Sequence, residues 1–301
     1  AVSVGVEKRK VNWILDADIS KFYDTIEHDW LIRFIGRRVA DTRVVRLIKK
    51  WLHAGVLEEG RLTQSEVGTV QGGSISPLLS NIYLHYAFDQ WVKQWRARHA
   101  EGEVIVVRYA DDWVAGFQHL RDAERFQREV TERLAHFGLK LHESKTRLIE
   151  FGRFARKNCS RRGAGKPQTF DFLGFTHCCG ETRKGGFAVL RLTSAKLLAV
   201  KEQLRRRMHQ TITEQGQYLR AVVAGHVRYF GVPRNGQRIS RFRLHLGRLW
   251  YRALRRRSQK HRLSRDRMTR LVALWLPLAH ICHPYPNQRL IVTTQGRSRM
   301  R

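Results

Sequence analysis

Three aspartates carry the clearest chemical signal in this chain. Asp18 ends a short apolar segment, and Asp111 and Asp112 stand together between two further apolar segments. Adjacent carboxylates repel each other, so a cation is their natural partner. Hard oxygen ligands on rigid strands suit Mg²⁺, and two such ions about 4 Å apart can activate an attacking hydroxyl and stabilise a leaving group. The alternative is that the Asp111-Asp112 pair is ordinary turn chemistry.

Three predicted strands must position these aspartates. The mostly apolar stretch 12–18 predicts a buried strand that ends at Asp18. Residues 104–108 and 113–117 predict a hairpin with Tyr109, Ala110, Asp111 and Asp112 at its tip. Because both strands of the hairpin are rich in apolar residues, we expect the acids to lie at the edge of a buried sheet rather than on a free loop.

The remaining pattern is mixed in the first part of the chain and helical in the second. Strand or hairpin material is predicted at 61–70, and short strands at 140–141, 146–151, 170–176 and 187–192, with a loop over 153–168. Helices are predicted over 30–38, 41–53, 76–99, 121–137, 195–210, 217–230, 238–257 and 265–276. The sequence therefore predicts an α+β domain over 1–192, in which an antiparallel sheet packs on helices, and an all-α domain over 193–301.

The positive charge is concentrated in the second part. The 301 residues contain 57 Lys and Arg against 26 Asp and Glu, a net charge of +31. Residues 191–301 alone carry 26 Lys and Arg against 3 acids. The clusters Arg205-Arg206-Arg207 and Arg255-Arg256-Arg257 lie among apolar and aromatic positions, which is typical of a folded helical face. Arginine suits bidentate phosphate contact, so nucleic acid is the expected partner, ahead of an anionic membrane surface.

Several classes of protein are excluded by composition. With 42% hydrophobic residues the chain can bury a core, and no apolar run approaches the roughly 18 residues of a membrane span. The four cysteines include no CxxC pair, so we expect no structural zinc and reduced thiols in a reducing compartment. Residues 1–6 have neither an initiator Met nor a signal-peptide pattern, so we expect the chain to begin inside a longer protein.

Five sequence blocks resemble those of reverse transcriptases, and the group II intron-encoded branch is the closest match. The segment Tyr109-Ala110-Asp111-Asp112 resembles the YxDD box, and the block around Asp18 resembles the earlier aspartate block. The stretches 71–84, 138–146 and 172–175 resemble the QGxxxSPxLxNxxL, Gly-Leu/Lys-Thr and FLG blocks, in the expected order. The resemblance implies a right-hand polymerase palm followed by a basic thumb and maturase region, covering essentially the whole chain.

The resemblance also implies roles for individual residues. Asp18, Asp111 and Asp112 would be the catalytic residues and the ligands of two Mg²⁺ ions, whereas Asp16 and Asp24 would be structural. The residues expected to contact the nucleotide or the template are Phe22, Tyr23, Gln71, Gly72, Tyr109 and Lys145. Two of these assignments have alternatives, because Phe22 is equally read as a core aromatic and Lys145 as a solvated side chain. In each arginine triplet, at most two side chains are expected to contact RNA, because successive helical residues turn by about 100°.

The sequence also departs from the family pattern. Only residues 1–10 precede the first block, whereas the family has a fingers region there. After Pro286 there are no paired Cys or His residues of the kind that an HNH-type nuclease domain carries, so DNA cleavage by such a domain is not expected. The first hypothesis is an RNA-directed DNA polymerase, a nucleotidyltransferase of a mobile element that uses dNTPs, an RNA template and a DNA primer. The alternatives are a maturase that binds group II intron RNA and assists splicing without polymerising, and an inactive remnant. A cytoplasmic, nucleic-acid-associated protein of bacteria, with no membrane partner, is expected.

Overall fold

The computed structural model describes residues 1–53, 56–58, 61–63, 67–69, 74–182, 184–194, 198–257 and 263–289. The strands are β1 (Trp13–Ala17), β2 (Val56–Glu58), β3 (Arg61–Thr63), β4 (Val104–Tyr109), β5 (Asp112–Phe117), β6 (Arg147–Glu150), β7 (Phe170–Phe172), β8 (Phe175–Glu181) and β9 (Phe187–Thr193). The helices are α1 (Val2–Lys8), α2 (Phe22–Thr25), α3 (His28–Gly36), α4 (Thr42–His53), α5 (Ser76–Leu84), α6 (Gln90–Arg98), α7 (Leu120–Ala135), α8 (Ala155–Arg161), α9 (Leu198–Arg206), α10 (Ile212–Phe230), α11 (Gly236–Arg255), α12 (Arg265–Trp275) and α13 (Pro286–Arg289).

The centre of the first part is an antiparallel sheet with the strand order β4-β5-β1-β6. Alternate residues of these strands face opposite sides, and both sides are buried. On one side Leu15, Trp113 and Phe117 join a core built with the helices, including Tyr83 and Phe126. Because both faces are covered, the strands read as nearly continuous apolar runs, and the predicted α+β class with an antiparallel sheet packed on helices is confirmed.

The other face of the sheet packs against α1 and a second, three-stranded sheet of order β7-β8-β9. Ile14 and Val114 lie in this second core with Val2 and Val6 of α1. The approach of α1 is close, because a Cβ added to Gly5 would lie 2.5 Å from Cδ1 of Ile105. No element was predicted for residues 2–8, although this helix covers part of one face of the central sheet.

The second part of the chain has a core of its own, formed by α9, α10, α11 and α12. Its centre contains Leu219 and Trp250, both 0% exposed. The indole Nε1 of Trp250 donates to Oε1 of the buried Gln215, at 2.9 Å. A capping box between Thr211 and Glu214 starts α10 five residues before the predicted start, because reciprocal hydrogen bonds satisfy its first free N–H groups.

Several predicted elements differ from the structure. In place of the short strand predicted at 140–141 there is only an isolated bridge between Leu141 and Ile19. The predicted loop 153–168 contains α8, whose Asn158 side chain donates to Glu150 at 2.5 Å. The predicted helix 76–99 is interrupted by a π-helical turn (His85–Asp89). The predicted strand 170–176 is split into β7 and β8 by a turn in which Leu173 and Gly174 have φ values of 50° and 74°. No helix in the described part of the chain is long and apolar enough to cross a membrane.

Candidate active site

Strand register brings the acids of distant segments to one place. β1 and β5 are antiparallel and their last pair is Ala17 with Trp113, so Asp18 and Asp112 are the next residues on each strand. Asp16 lies two residues before Asp18, so alternation places Asp16, Asp18 and Asp112 on the same face of the sheet. Asp18 and Asp112 are 94 positions apart in the sequence, and a single strand pair brings them together.

These three aspartates line a cleft of about 400 Å³ at the end of the sheet. Asp171 of β7 lines it from the second sheet, and Lys145 and Arg147 line it from the segment that leads into β6. Lys145 Nζ donates to Oδ2 of Asp18 at 2.6 Å, and Arg147 Nη2 donates to Oδ2 of Asp16 at 2.9 Å. The cleft therefore combines four carboxylates with two cations, and two of the carboxylates are ion-paired.

The pKa values of two of the acids are raised. Partial burial raises the pKa of Asp112, and the neighbouring carboxylates of Asp111, Asp18 and Asp16 raise it further. Burial also raises the pKa of Asp16, although the hydrogen bond from Arg147 acts in the opposite direction. The hydrogen bond to Asp18 raises the pKa of Lys145. The cleft thus holds more negative charge than its two cations offset, which is an environment that favours a bound cation.

The turn that presents Asp111 and Asp112 is held by Arg108. The guanidinium donates to both carboxylate oxygens of Asp89, at 2.8 Å and 2.5 Å, and to Oδ1 of Asn81 at 2.9 Å. It also donates to the carbonyl of Ala110 at 2.8 Å. Ala110 has φ of 54°, a left-handed conformation that is unfavourable for a residue with a Cβ. Arg108 therefore ties this strained turn to α5 and to the π-helical turn that contains Asp89.

The other predicted nucleotide-site residues have different environments. Phe22 is 3% exposed and belongs to the core, which favours the core-aromatic alternative. Tyr23 is half-buried against Phe22, with ring centroids 5.4 Å apart. Tyr109, next to the acidic turn, is 67% exposed. Gln71 and Gly72 lie outside the described residues.

The two arginine triplets divide into inward and outward side chains. Arg207 lies over the ring of Tyr218 at 4.6 Å, and Arg257 Nε donates to the carbonyl of Met208 at 2.6 Å. The outward members are Arg205 and Arg256, which line a groove, Arg206, which pairs with Glu202, and Arg255, which lies over Tyr251. Arg207 and Arg257 are thus half-buried against the protein, whereas the other four arginines are exposed.

Comparison with known proteins decides the family. The sequence model for "Reverse transcriptase (RNA-dependent DNA polymerase)" matches residues 3–177, more than half of the chain. The chain belongs to the reverse transcriptase family. The stretch that matches this reverse transcriptase model contains the β1–β5 ladder, the acidic turn and Lys145. Residues 178–301, which include most of the basic helical part, lie beyond it.

Curated relatives share shorter stretches. The reverse transcriptase chain is 41% identical over 86 residues to the group II intron-encoded protein LtrA of Lactococcus lactis, covering 29% of this chain and 14% of that protein. It is 32% identical over 127 residues to the protein YkfC of Escherichia coli, covering 38% and 33%. It is 40% identical over 85 residues to a 91 kDa protein in a cob intron of Schizosaccharomyces pombe, covering 28% and 10%. The chain spans between a tenth and a third of the length of these relatives.

Among solved structures, the chain is similar to a telomerase of Candida albicans in complex with a TWJ fragment of telomeric RNA. The identity is 13%, the TM-score is 0.45, and the match covers 86% of this chain and 45% of that one. A telomerase of Candida tropicalis in its apo form matches with a TM-score of 0.44 and 13% identity, over 88% of this chain and 46% of that one.

Two features of the site were missed by sequence reasoning. Asp171 lines the cleft although its position in strand β7, just before the Phe172-Leu173-Gly174 turn, suggested only a strand residue. The Arg108–Asp89 pair was also missed, because 19 residues and a helix–strand packing contact separate its members. Within the described residues, no three His, Cys, Asp or Glu side chains form a ready-made metal-binding group. The carboxylate of Asp18 is instead bound by Lys145.

Proposed function

We propose that this chain is an RNA-directed DNA polymerase of the group II intron type, which adds deoxynucleotides from dNTPs to a DNA primer on an RNA template. The observation that carries the proposal is the adjacency of Asp18 and Asp112 on neighbouring strands, beside Asp111, in a chain of the reverse transcriptase family. Carboxylates on strand ends of a buried sheet are held rigidly, and rigid placement is what transfer between two bound substrates requires.

The donor set of the cleft fits Mg²⁺. Asp18 and Asp112 line the cleft and Asp111 is next to Asp112 in the turn, so all three can supply hard oxygen ligands. Partial burial raises the pKa of Asp112, and the neighbouring carboxylates raise it further, which is negative charge that a cation would neutralise. Two bound Mg²⁺ ions would lower the pKa of the primer 3′-hydroxyl and stabilise the pyrophosphate leaving group. Lys145 contacts only Oδ2 of Asp18, which leaves Oδ1 for a metal ion, and we propose that Lys145 moves from Asp18 to the substrate phosphates when they bind.

Other side chains would orient the substrates. Lys145, once released, would neutralise charge on the pyrophosphate, and Arg147 would hold Asp16 away from the metal ligands. The exposed ring of Tyr109 and the half-buried ring of Tyr23 are proposed to contact the nucleotide or the template, as are Gln71 and Gly72. Phe22 is buried in the core and would act on the nucleotide through its neighbour Tyr23.

The cleft extends toward the helical part of the chain. A second cavity of about 590 Å³ begins at Asp112 and Asp171 and reaches Arg238 of α11. Tyr229 of α10 donates its hydroxyl to the carbonyl of Leu173 at 3.0 Å, so the helices are attached to the turn that lines both cavities. We propose that the primer terminus lies along this surface, between the palm of residues 1–192 and the thumb of residues 193–301.

The basic helices are proposed to bind RNA, including the intron RNA of a group II intron. The proposal rests on the excess of Lys and Arg over acids in residues 191–301 and on the group II intron-encoded relative. Arg205, Arg206, Arg255 and Arg256 are exposed and available to phosphates, whereas Arg207 and Arg257 are held by the protein.

Primer extension tests the proposal. The chain is incubated with a labelled DNA primer annealed to an RNA template, the four dNTPs and Mg²⁺, and the products are resolved by length. Template-length DNA that requires Mg²⁺ and dNTPs is expected, and a chelator should abolish it. Tight RNA binding without any extension, at several Mg²⁺ concentrations, would support the non-polymerising maturase instead.

A further inference from the structure

A groove separates α9 from α11 on the surface of the helical part, away from the acidic cleft. It has a volume of about 730 Å³. Its floor is apolar and consists of Leu204, Met208, Leu249 and Ala253, and its rim is formed by Lys201, Arg205, Arg252 and Arg256. None of these residues lines the cleft of Asp18 and Asp112. The groove is thus a separate feature that the polymerase chemistry does not use.

The rim arginines are placed differently from the last arginine of each triplet. Arg207 is held against Tyr218, and Arg257 is held by the carbonyl groups of Met208 and Gln210. Arg205, in the last turn of α9, and Arg256, directly after α11, are exposed and line the groove instead. The two triplets therefore present one arginine each across the same groove.

The charge of the rim selects an anion. Four cations surround the groove, and its one acid, Glu202, is paired with Arg206 at 3.4 Å. Uncompensated arginines at this density attract phosphate, which they bind with planar, forked donors. The apolar floor favours a ligand that also has an apolar surface, because a purely ionic ligand would leave Leu204, Met208 and Leu249 without an apolar partner.

The combination of a cationic rim and an apolar floor matches an unpaired nucleotide better than a paired RNA helix. A paired RNA helix offers its phosphates but keeps its base faces stacked inside, whereas an unpaired nucleotide offers both a phosphate and a free base face. The volume of the groove falls in the range of about 300–1,000 Å³ that is typical of sites for small ligands. A single nucleotide, and not a duplex, fits such a site.

We propose that this groove receives one unpaired nucleotide of the bound RNA, with its base on the apolar floor and its flanking phosphates at Arg205 and Arg256. The proposal deepens the RNA binding proposed above and rests on it. With this site, the helical part would recognise bulged or flipped-out nucleotides in addition to binding phosphates in general.

The test uses two RNA hairpins that differ in one position. One contains a single 2-aminopurine bulge, the other is fully paired, and binding of the full chain to each is measured by fluorescence. The bulged hairpin is expected to bind about tenfold more tightly than the paired one, a difference that corresponds to one base-stacking contact. Its 2-aminopurine emission should change on binding, because the base moves onto the floor of the groove.

Two pairs of variants locate the effect. Ala253→Phe fills the groove without changing charge, and Ala221→Phe places the same ring on an exposed position of α10. Arg205→Gln removes a rim cation, and Arg220→Gln removes an exposed arginine of α10 that does not line the groove. Ala253→Phe and Arg205→Gln should each lose most of the preference for the bulge, whereas Ala221→Phe and Arg220→Gln should keep it. Thermal unfolding confirms that all four variants fold.

The outcomes separate this inference from the proposed function. Equal binding of bulged and paired hairpins by the unmodified chain would overturn the nucleotide site while leaving RNA binding intact. A preference for the bulge that survives Ala253→Phe in a folded protein would also overturn it. Failure to bind either hairpin at low salt would remove both the site and the proposed RNA binding, and primer extension would still report on the palm independently.

Discussion

Replacing Arg108 by Met should destabilise the protein through the turn that carries Asp111 and Asp112. The change removes four hydrogen bonds and leaves Asp89, whose side chain is 34% exposed, without its bidentate partner. Breaking a fully buried ion pair costs about 3–5 kcal/mol, and an exposed pair contributes at most about 1 kcal/mol. Since Arg108 is 15% exposed and Asp89 about one third, we expect a loss of about 2–3 kcal/mol.

Thermal unfolding measures this loss, with a double-mutant cycle to assign it. A loss of this size should lower Tm by roughly 4–10 °C in a protein of this length. Asp89→Asn alone should also destabilise, and the double variant should cost clearly less than the sum of the two single changes. The matched control is Arg206→Met, which removes an exposed i,i+4 pair with Glu202 and should cost at most about 0.5 kcal/mol.

The same variants test whether the turn is held for function. Because Arg108 also binds the carbonyl of Ala110, its loss should slow primer extension more than the control does, with unchanged RNA affinity. If Arg108→Met and Arg206→Met shift Tm equally, or if the cycle shows no coupling between Arg108 and Asp89, the assignment of the clamp is wrong.

Three further predictions follow from single contacts. Gly216→Ala should destabilise the protein by about 1–3 kcal/mol, because the added Cβ would meet the ring of Trp275. Gly225→Ala lies in the same helix with open space around it, so it should stabilise the protein by up to about 1 kcal/mol. Chemical denaturation measures both changes in the free energy of unfolding. Arg257→Gln should cost about 1–3 kcal/mol in the same assay, because it removes donors to two backbone carbonyls, yet should scarcely change the salt dependence of RNA binding. Partial burial, and after it the neighbouring acids, raise the pKa of Asp112 above 3.8, so the folded state without metal binds that proton more tightly than the unfolded state. The folded state therefore loses stability as the pH rises from about 3.8 through the raised pKa. Mg²⁺ should restore that stability at neutral pH, and Asp112→Asn should remove both the pH effect and the Mg²⁺ effect in thermal unfolding.

The elements that carry the acids could be predicted from the sequence because local signals agree there. The apolar runs on both sides of residues 109–112 indicate strands, and two acids between them indicate a tight turn. The strand ending near Asp18 is marked in the same way. What the sequence pattern alone does not specify is the pairing of β1 with β5, which is a long-range contact.

Other elements were not predictable because tertiary contacts determine them. Residues 2–6 alternate valine with small residues, a pattern that does not favour a helix, yet α1 is buried against both the sheet and β9. There Glu7 accepts a hydrogen bond from the backbone N–H of Val189, 182 residues away, at 2.8 Å. Helix α8 lies in an arginine- and glycine-rich stretch and is attached through side-chain contacts to Glu150.

The roles of the site residues remain predictions, and the structure adds constraints to them. Phe22 is a core residue, so a contribution to nucleotide selection would have to act through its neighbours. Asp171 enters the site from the second sheet, and it extends the set of acids beyond those in the YADD and first aspartate blocks.

The most direct test of the central claim measures catalysis and binding on the same variant. For Asp112→Asn, RNA-templated incorporation of the first deoxynucleotide should fall by at least about a hundredfold, because a metal ligand is lost. The dissociation constant for the RNA template should stay within about twofold, since the change leaves the arginines of the basic helices in place. Asp29→Asn, an exposed aspartate of α3, is the matched control and should retain both properties. Incorporation by Asp112→Asn at the rate of the unmodified protein, or equal loss of incorporation and of RNA binding, would contradict the account.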